Sequence, residues 1–160
     1  MIRIVPARAA DDLADVRRLF QAYADFLAVD LEYQAFNAEL AGLPGKYAPP
    51  KGELLLARDG EGRAVGCVAL RPLPSEGGCE MKRLYVSPEA RGTGLGETLA
   101  LAVEAEARRI GYRVMMLDTL PRLEPAVALY RKLGFAPAEA YYPSPMAGTV
   151  FFGKALSGPA

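Results

Sequence analysis

The sequence contains no histidine. Neither a Ser-His-Asp triad nor a Cys-His pair can therefore form, and no metal can be held by imidazole. Proton transfer is left to Glu, Asp, Tyr, Cys, an amine or water. Net charge is also missing: Lys+Arg and Asp+Glu both number 19. No overall field draws the chain toward nucleic acid or a membrane surface. No apolar run approaches the roughly 18 residues that suggest a membrane span, and "MIRIVPARAADD" lacks the apolar stretch of a signal peptide. A cytoplasmic protein is the expectation. Cysteines are few, Cys67 and Cys79. With a hairpin turn centred near Ser75, Cys79 would face Arg71 and Cys67 would face Arg83, too far apart for a disulfide. Both are expected to act as small buried hydrophobes.

What is present suits one domain over residues 1–160, since 51% of the chain is apolar and 24% charged. "IRIVPA" reads as a strand. From Asp11, the residues Leu13, Val16, Phe20, Tyr23 and Leu27 recur at helical spacing. A second helix is predicted from Tyr33 to Leu40, then a Gly- and Pro-rich loop. "ELLLARD", "RAVGCVALRPL" and "CEMKRLYV" read as strands joined by turns. The helix that follows the glycines carries Leu95, Leu99, Ala102, Val103 and Ile110 on one face, with a Glu104–Arg108 pair and a C-terminal Gly111.

"YRVMMLDT" is nearly continuously apolar, which predicts a strand buried on both faces. Together with "CEMKRLYV" and the intervening helix it forms a β-α-β crossover with two parallel strands. "EPAVALYRKLG" is a helix with Pro125 in its first turn and Gly134 past its end, and strands are expected near "PAEAYY" and "GTVFFGKAL". The fold class is α/β: a mixed sheet of about six to seven strands, antiparallel in its N-terminal part, flanked by about four helices.

Three glycines, Gly92, Gly94 and Gly96, alternate between a strand and a helix start. A helix N-terminus offers unpaired N–H groups and a positive dipole end. Glycines let an anion approach that backbone closely, and Arg91 adds a charged donor fork. The block reads as a phosphate site. It is not the dinucleotide fingerprint, because position 97 is Glu, and it is not a P-loop, because no Gly-Lys-Ser/Thr follows.

What remains is R-x-x-G-x-G, formed by Arg91, Gly94 and Gly96. This block resembles the acyl-coenzyme A pyrophosphate loop of the GNAT N-acetyltransferase superfamily. The resemblance continues through "EPAVALYRKLGF", which is similar to that superfamily's A-x-x-L-Y-x-x-x-G-F signature at Ala126, Leu129, Tyr130, Gly134 and Phe135. The motifs run from Glu80 to Phe135, about a third of the chain. Leu123 stands where the family often has asparagine.

The resemblance implies that the parallel strands splay apart beyond a bulge. It implies that acetyl-CoA, as co-substrate, places its pantetheine arm on the backbone of Leu84, Tyr85 and Val86. Its pyrophosphate would lie on residues 91 to 96, that is Arg91, Gly92, Thr93, Gly94, Leu95 and Gly96. It implies acetyl transfer to an amine, with Tyr130 as the acid protonating the thiolate. Glu80, eleven residues before Arg91, occupies the spacing of a general-base glutamate in similar enzymes, where an apolar strand surface would raise its pKa; the alternative is a structural ion pair with Lys82 or an arginine on the neighbouring strand. Asp118 or water is the alternative base. No metal is implied.

The acceptor would be bound by Tyr33, Tyr47, Arg71, Arg122, Tyr141 and Tyr142, a mixed polar-aromatic set. It fits a primary amine on a small molecule, an amino acid or a peptide, with no nucleic acid or membrane partner; a homodimer stays open. A catalytically silent acyl-CoA-binding or interaction module on the same fold is the second reading, against which Glu80 and Tyr130 speak.

Overall fold

The strands at the centre of the chain divide their side chains by parity. Leu54 and Leu56 point to one face of the sheet and Leu55 and Ala57 to the other, and all four are buried. A strand covered on both sides by helices needs this pattern, since successive residues point to opposite faces. The computed structural model describes residues 1–156, with Tyr33 described by its backbone alone. The last four residues of the expected domain lie outside the described residues.

The elements run in the order β1 (Arg3–Pro6), α1 (Ala10–Leu27), α2 (Phe36–Ala41), β2 (Glu53–Arg58), β3 (Ala64–Pro72), β4 (Gly78–Val86), α3 (Leu95–Ile110), β5 (Val114–Thr119), α4 (Glu124–Lys132), β6 (Ala136–Pro137) and β7 (Val150–Ala155). The seven strands form one sheet in the order β1-β2-β3-β4-β5-β7-β6. Only β4 and β5 are parallel, as the α3 crossover requires. On one face α1 buries Val16, Leu19 and Phe20 against Leu56 and Ala69. On the other, α3 buries Leu99, Val103 and Ala107 against Val68, Met81 and Met115. The expected Glu104–Arg108 pair is present at 3.0 Å, and Lys154 joins it at 2.8 Å. Gly111 ends α3 in the left-handed region at φ 110°.

Several expectations need correction. The segment from Tyr33 to Leu40 is not one helix: a 3-10 turn over Leu31–Gln34 is separated from α2 by Ala35 at φ 56°. Strand β5 is not buried on both faces. Met115 and Leu117 are buried, while Val114, Met116 and Asp118 are only half-buried, because no helix covers them fully. The strand expected at "PAEAYY" is reduced to Ala136–Pro137 at the sheet edge, pairing with Phe152 and Gly153. Proline cannot extend a ladder inward, and the chain then leaves the sheet.

The cysteine register is also shifted. Cys79 faces Pro72 and Cys67 faces Tyr85. The pairing is shifted by one residue at the turn, and a bulge in β4 adds another. Both cysteines are free and buried, without a disulfide.

That bulge is centred on Arg83, which sits at φ 59° within β4. Left-handed backbone at a bulky residue is unfavourable and needs support from its surroundings. The support is a buried side chain. The Arg83 guanidinium donates to both carboxylate oxygens of Glu39 on α2, at 3.0 and 2.9 Å. It also lies over the rings of Phe36 and Tyr23, at 5.2 and 5.9 Å. Burial alone would raise the Glu39 carboxyl, but the hydrogen bonds and charge of Arg83 outweigh it and hold it below the ordinary glutamate value.

A carboxylate depressed in the folded state gives stability that is present above its unfolded pKa, about 4.3, and is lost as pH falls through its folded value. Glu39→Ala is expected to destabilise the protein at pH 7 by on the order of 3 kcal/mol, because it leaves a buried guanidinium unpaired. The difference should shrink below about pH 4, where wild type loses the same charge. Urea unfolding at both pH values measures this. A loss at pH 7 no larger than the ~1 kcal/mol of a surface pair would show that the contact does not hold the bulge.

Candidate active site

β4 and β5 are paired only from Gly78↔Val114 to Glu80↔Met116. Beyond Glu80 they part, and the Arg83 bulge carries β4 further away. The gap is a cleft of ≈ 430 Å³. Its walls are Leu84, Tyr85 and Val86 of β4, Asp118 and Thr119 of β5, Ala126 and Tyr130 of α4, and Tyr23 and Phe26 of α1. It adjoins a narrower inner chamber of ≈ 40 Å³, bounded by Lys82, Gln34, Met81 and Thr149. Asp118 and Tyr130 line both spaces.

The glycine loop lies at the cleft mouth. Gly92 and Gly94 have φ of 80° and 81°, and Gly94 caps α3. A Cβ built on Gly94 would meet nothing within 4 Å. Glycine is thus required there by backbone conformation, with open space beside it, rather than by crowding from the protein. Thr98 is the first residue of α3 whose N–H reaches back to a carbonyl, that of Gly94 at 3.1 Å. The preceding N–H groups are the orphan donors of a helix start. Arg91 folds across the mouth. Its Nε donates to the Val86 carbonyl at 2.9 Å, and its guanidinium lies over the rings of Phe26 and Tyr85 at 4.8 and 5.6 Å. Gly96 lines the cleft directly.

Tyr130 is 8% exposed and rests edge-on against Phe135. Burial, with smaller contributions from Tyr23 and Asp118, pushes its phenol above the ordinary value. It is therefore a neutral O–H at physiological pH.

The two carboxylates differ in setting. Glu80 is wholly buried and lines neither space. Arg71, directly opposite on β3, donates to it at 2.7 Å, the Tyr141 hydroxyl donates to its other oxygen, and Lys82 Nζ lies 3.9 Å away. Its surroundings are charged and not an apolar strand surface: the alternative holds, an ion pair with an arginine of the neighbouring strand and with Lys82. Asp118 faces both spaces and accepts from the Tyr142 hydroxyl.

Of the predicted acceptor residues, Arg71, Tyr141 and Tyr142 gather around these carboxylates. Tyr47 stands apart from them, edge-on against Phe20 at 6.0 Å and beside Glu39, with its hydroxyl buried. Arg122 instead donates to the Leu27 carbonyl at the end of α1, and the Tyr33 side chain lies outside the described residues.

Sequence reasoning passed over Lys82 as a site residue in its own right. It is 6% exposed and donates to Gln34 Oε1 at 3.0 Å. Burial lowers its ammonium to about 8, against the nearby Glu80 charge, which raises it. The signal was available in "CEMKRLYV", where Glu80 and Lys82 share strand parity and so one face.

The sequence matches the Acetyltransferase (GNAT) family over residues 13–135. An uncharacterized N-acetyltransferase of Schizosaccharomyces pombe is 43% identical over 156 residues, covering 98% of this chain and 96% of its own. An IAA acetyltransferase of Azospirillum brasilense is 40% identical over 113 residues, covering 68% and 71%. In three dimensions, a GNAT-family acetyltransferase from Staphylococcus aureus superposes with a TM-score of 0.82 over 98% of this chain and 100% of its own, at 17% identity. The parted parallel strands, the glycine-capped helix and the buried tyrosine thus accompany a family match over most of the chain, which belongs to the GNAT family of acyl-CoA-dependent N-acetyltransferases.

Proposed function

We propose that the cleft between β4 and β5 takes acetyl-CoA and that the protein acetylates a primary amine on a small molecule or peptide. One observation carries this reading. A cleft with Tyr130 at its inner end opens at its mouth onto the glycine-capped start of α3. The unpaired N–H groups there, the empty space beside Gly94 and the charge of Arg91 fit a pyrophosphate. The largely apolar walls suit a pantetheine arm.

When bound, acetyl-CoA supplies an acetyl thioester. The amine reaches the enzyme as an ammonium with a pKa near 10 and must lose a proton before its nitrogen can attack. As the C–N bond forms and the C–S bond breaks, a second proton leaves the nitrogen. Tyr130 donates its proton to the departing thiolate and recovers one from solvent or the amine. One proton overall ends on CoA and one in solvent.

Asp118 is the carboxylate open to the site, and its position favours it as proton acceptor. Glu80 can act only through the Tyr141 hydroxyl, which gives the second route.

Gly94→Val forces a β-branched residue into left-handed backbone and fills the space beside the helix start. It is expected to weaken CoA binding several-fold or more in calorimetry; unchanged affinity would move the pyrophosphate elsewhere. Tyr130→Phe keeps the ring and loses only the hydroxyl, so CoA affinity should persist while turnover falls. Unaltered turnover would make Tyr130 a packing residue and water the acid.

A relay base contributes about 10²–10⁴-fold. Whichever of Asp118→Asn and Glu80→Gln removes the acceptor should lose that rate mainly at the acid end of the active range, because more free amine is present at high pH. Comparing pH–rate profiles of the two variants decides the route. A loss uniform in pH for both would assign each to positioning and leave water as the base.

A further inference from the structure

Charges on the acceptor face balance in number, Arg71 and Lys82 against Glu80 and Asp118, but they are not all paired in contact. Arg83 is matched by Glu39. Arg71 and Lys82 both turn to one carboxylate, Glu80, at 2.7 and 3.9 Å. The surplus there is one positive charge, and it lies with Lys82, the more distant of the two. An ammonium has three donors. Among the described residues Lys82 makes one hydrogen bond, to Gln34 at 3.0 Å, and its 3.9 Å approach to Glu80 is too long for another. A buried cation so lightly satisfied is costly unless something else completes it. Asp118 is the complementary case. It forms no ion pair among the described residues, and its partner is the Tyr142 hydroxyl. Lys82 and Asp118 border the same inner chamber, close enough for the Asp118 charge to act on Lys82.

One surplus cation and one unmatched carboxylate on a shared chamber call for a ligand with the opposite pair. We propose that the acceptor is a free α-amino acid, with its carboxylate on Lys82 and its amine on Asp118 beside Tyr130. This rests on the acetyl-transfer reading and specifies its substrate class. The chamber is the narrower of the two spaces, ≈ 40 Å³ against ≈ 430 Å³ for the cleft, and both charged groups border it. Asp118 and Tyr130 line both chamber and cleft, so an amine held there lies where the cleft would deliver the thioester. The side chain of a lysine within a peptide offers an amine without the adjacent carboxylate.

The experiment measures thiol release from acetyl-CoA by the intact protein, using matched pairs: alanine and ethylamine, leucine and isopentylamine, phenylalanine and phenethylamine. In wild type the amino acid of at least one pair should exceed its decarboxylated partner in kcat/KM by about 100-fold or more. Lys82→Met keeps the length and removes the charge. It should raise KM for the amino acid at least tenfold more than for its decarboxylated partner, and leave CoA affinity unchanged in calorimetry. The wild-type comparison stands if that variant fails to fold.

Equal rates within every pair would overturn the proposal, as would a Lys82→Met loss equal for both members of a pair. CoA binding without acetylation of any amino acid would overturn the proposal and leave the acetyl-CoA cleft standing. Absence of CoA binding would overturn the acetyl-transfer reading beneath it.

Discussion

The site depends on the contact between Arg83 and Glu39. A strand residue in left-handed backbone would ordinarily relax into the ladder and restore its pairing. Here the Arg83 side chain is held under α2 by two charge-assisted hydrogen bonds and two aromatic rings. The bulge that results turns β4 away from β5, and the cleft is the space left between them. A contact on the helical layer thus sets the geometry of a gap inside the sheet. This is also why α2, only six residues long, is needed: a helix of that length has little stability of its own and is kept by what it packs against.

The polar face of β3 and β4 extends the same logic of buried charge. A sheet surface covered by helices normally carries apolar residues. This one carries Glu80, Lys82 and Arg71 together, with Tyr141 laid over them from the loop after β6. Groups of this kind persist in an interior only when they are mutually satisfied. Most of the network is satisfied: Glu80 receives Arg71 and Tyr141, and Asp118 receives Tyr142. Among the described residues a shortfall remains at Lys82, which borders the inner chamber and makes one hydrogen bond. The loop that brings the two tyrosines in is the segment that Pro137 releases from the sheet, so an interruption in the ladder supplies the lid of the polar network.

The order of elements, the crossover, the helix caps and the glycine loop were legible because each is written in local chemistry. Spacing of 3.6, a glycine after the last turn, and Pro125 near a helix start are properties of short windows. The register of β3 on β4 was not legible, since the Arg83 bulge is stabilised by Glu39, forty-four residues away in sequence. The division between Glu80 and Asp118 was equally hidden. Both are acidic residues on adjacent strands, and only the parting of those strands decides which one meets the open space. The continuous apolar run of β5 misled for a related reason: Met116 resembles a core residue in sequence, yet it stands on the side where helical cover is incomplete.

Arg91 is held by two rings and the Val86 carbonyl. A long side chain free in solvent carries about 2 kcal/mol of rotamer entropy, which an incoming anion would otherwise have to overcome on capture. Much of that freedom is already lost when the chain folds, so the guanidinium behaves as a fixed part of the rim. Because Phe26 supplies one of the two rings and is itself half exposed, a large apolar side chain left on the surface of α1 becomes intelligible as the stacking base that keeps the entrance in shape before any ligand arrives.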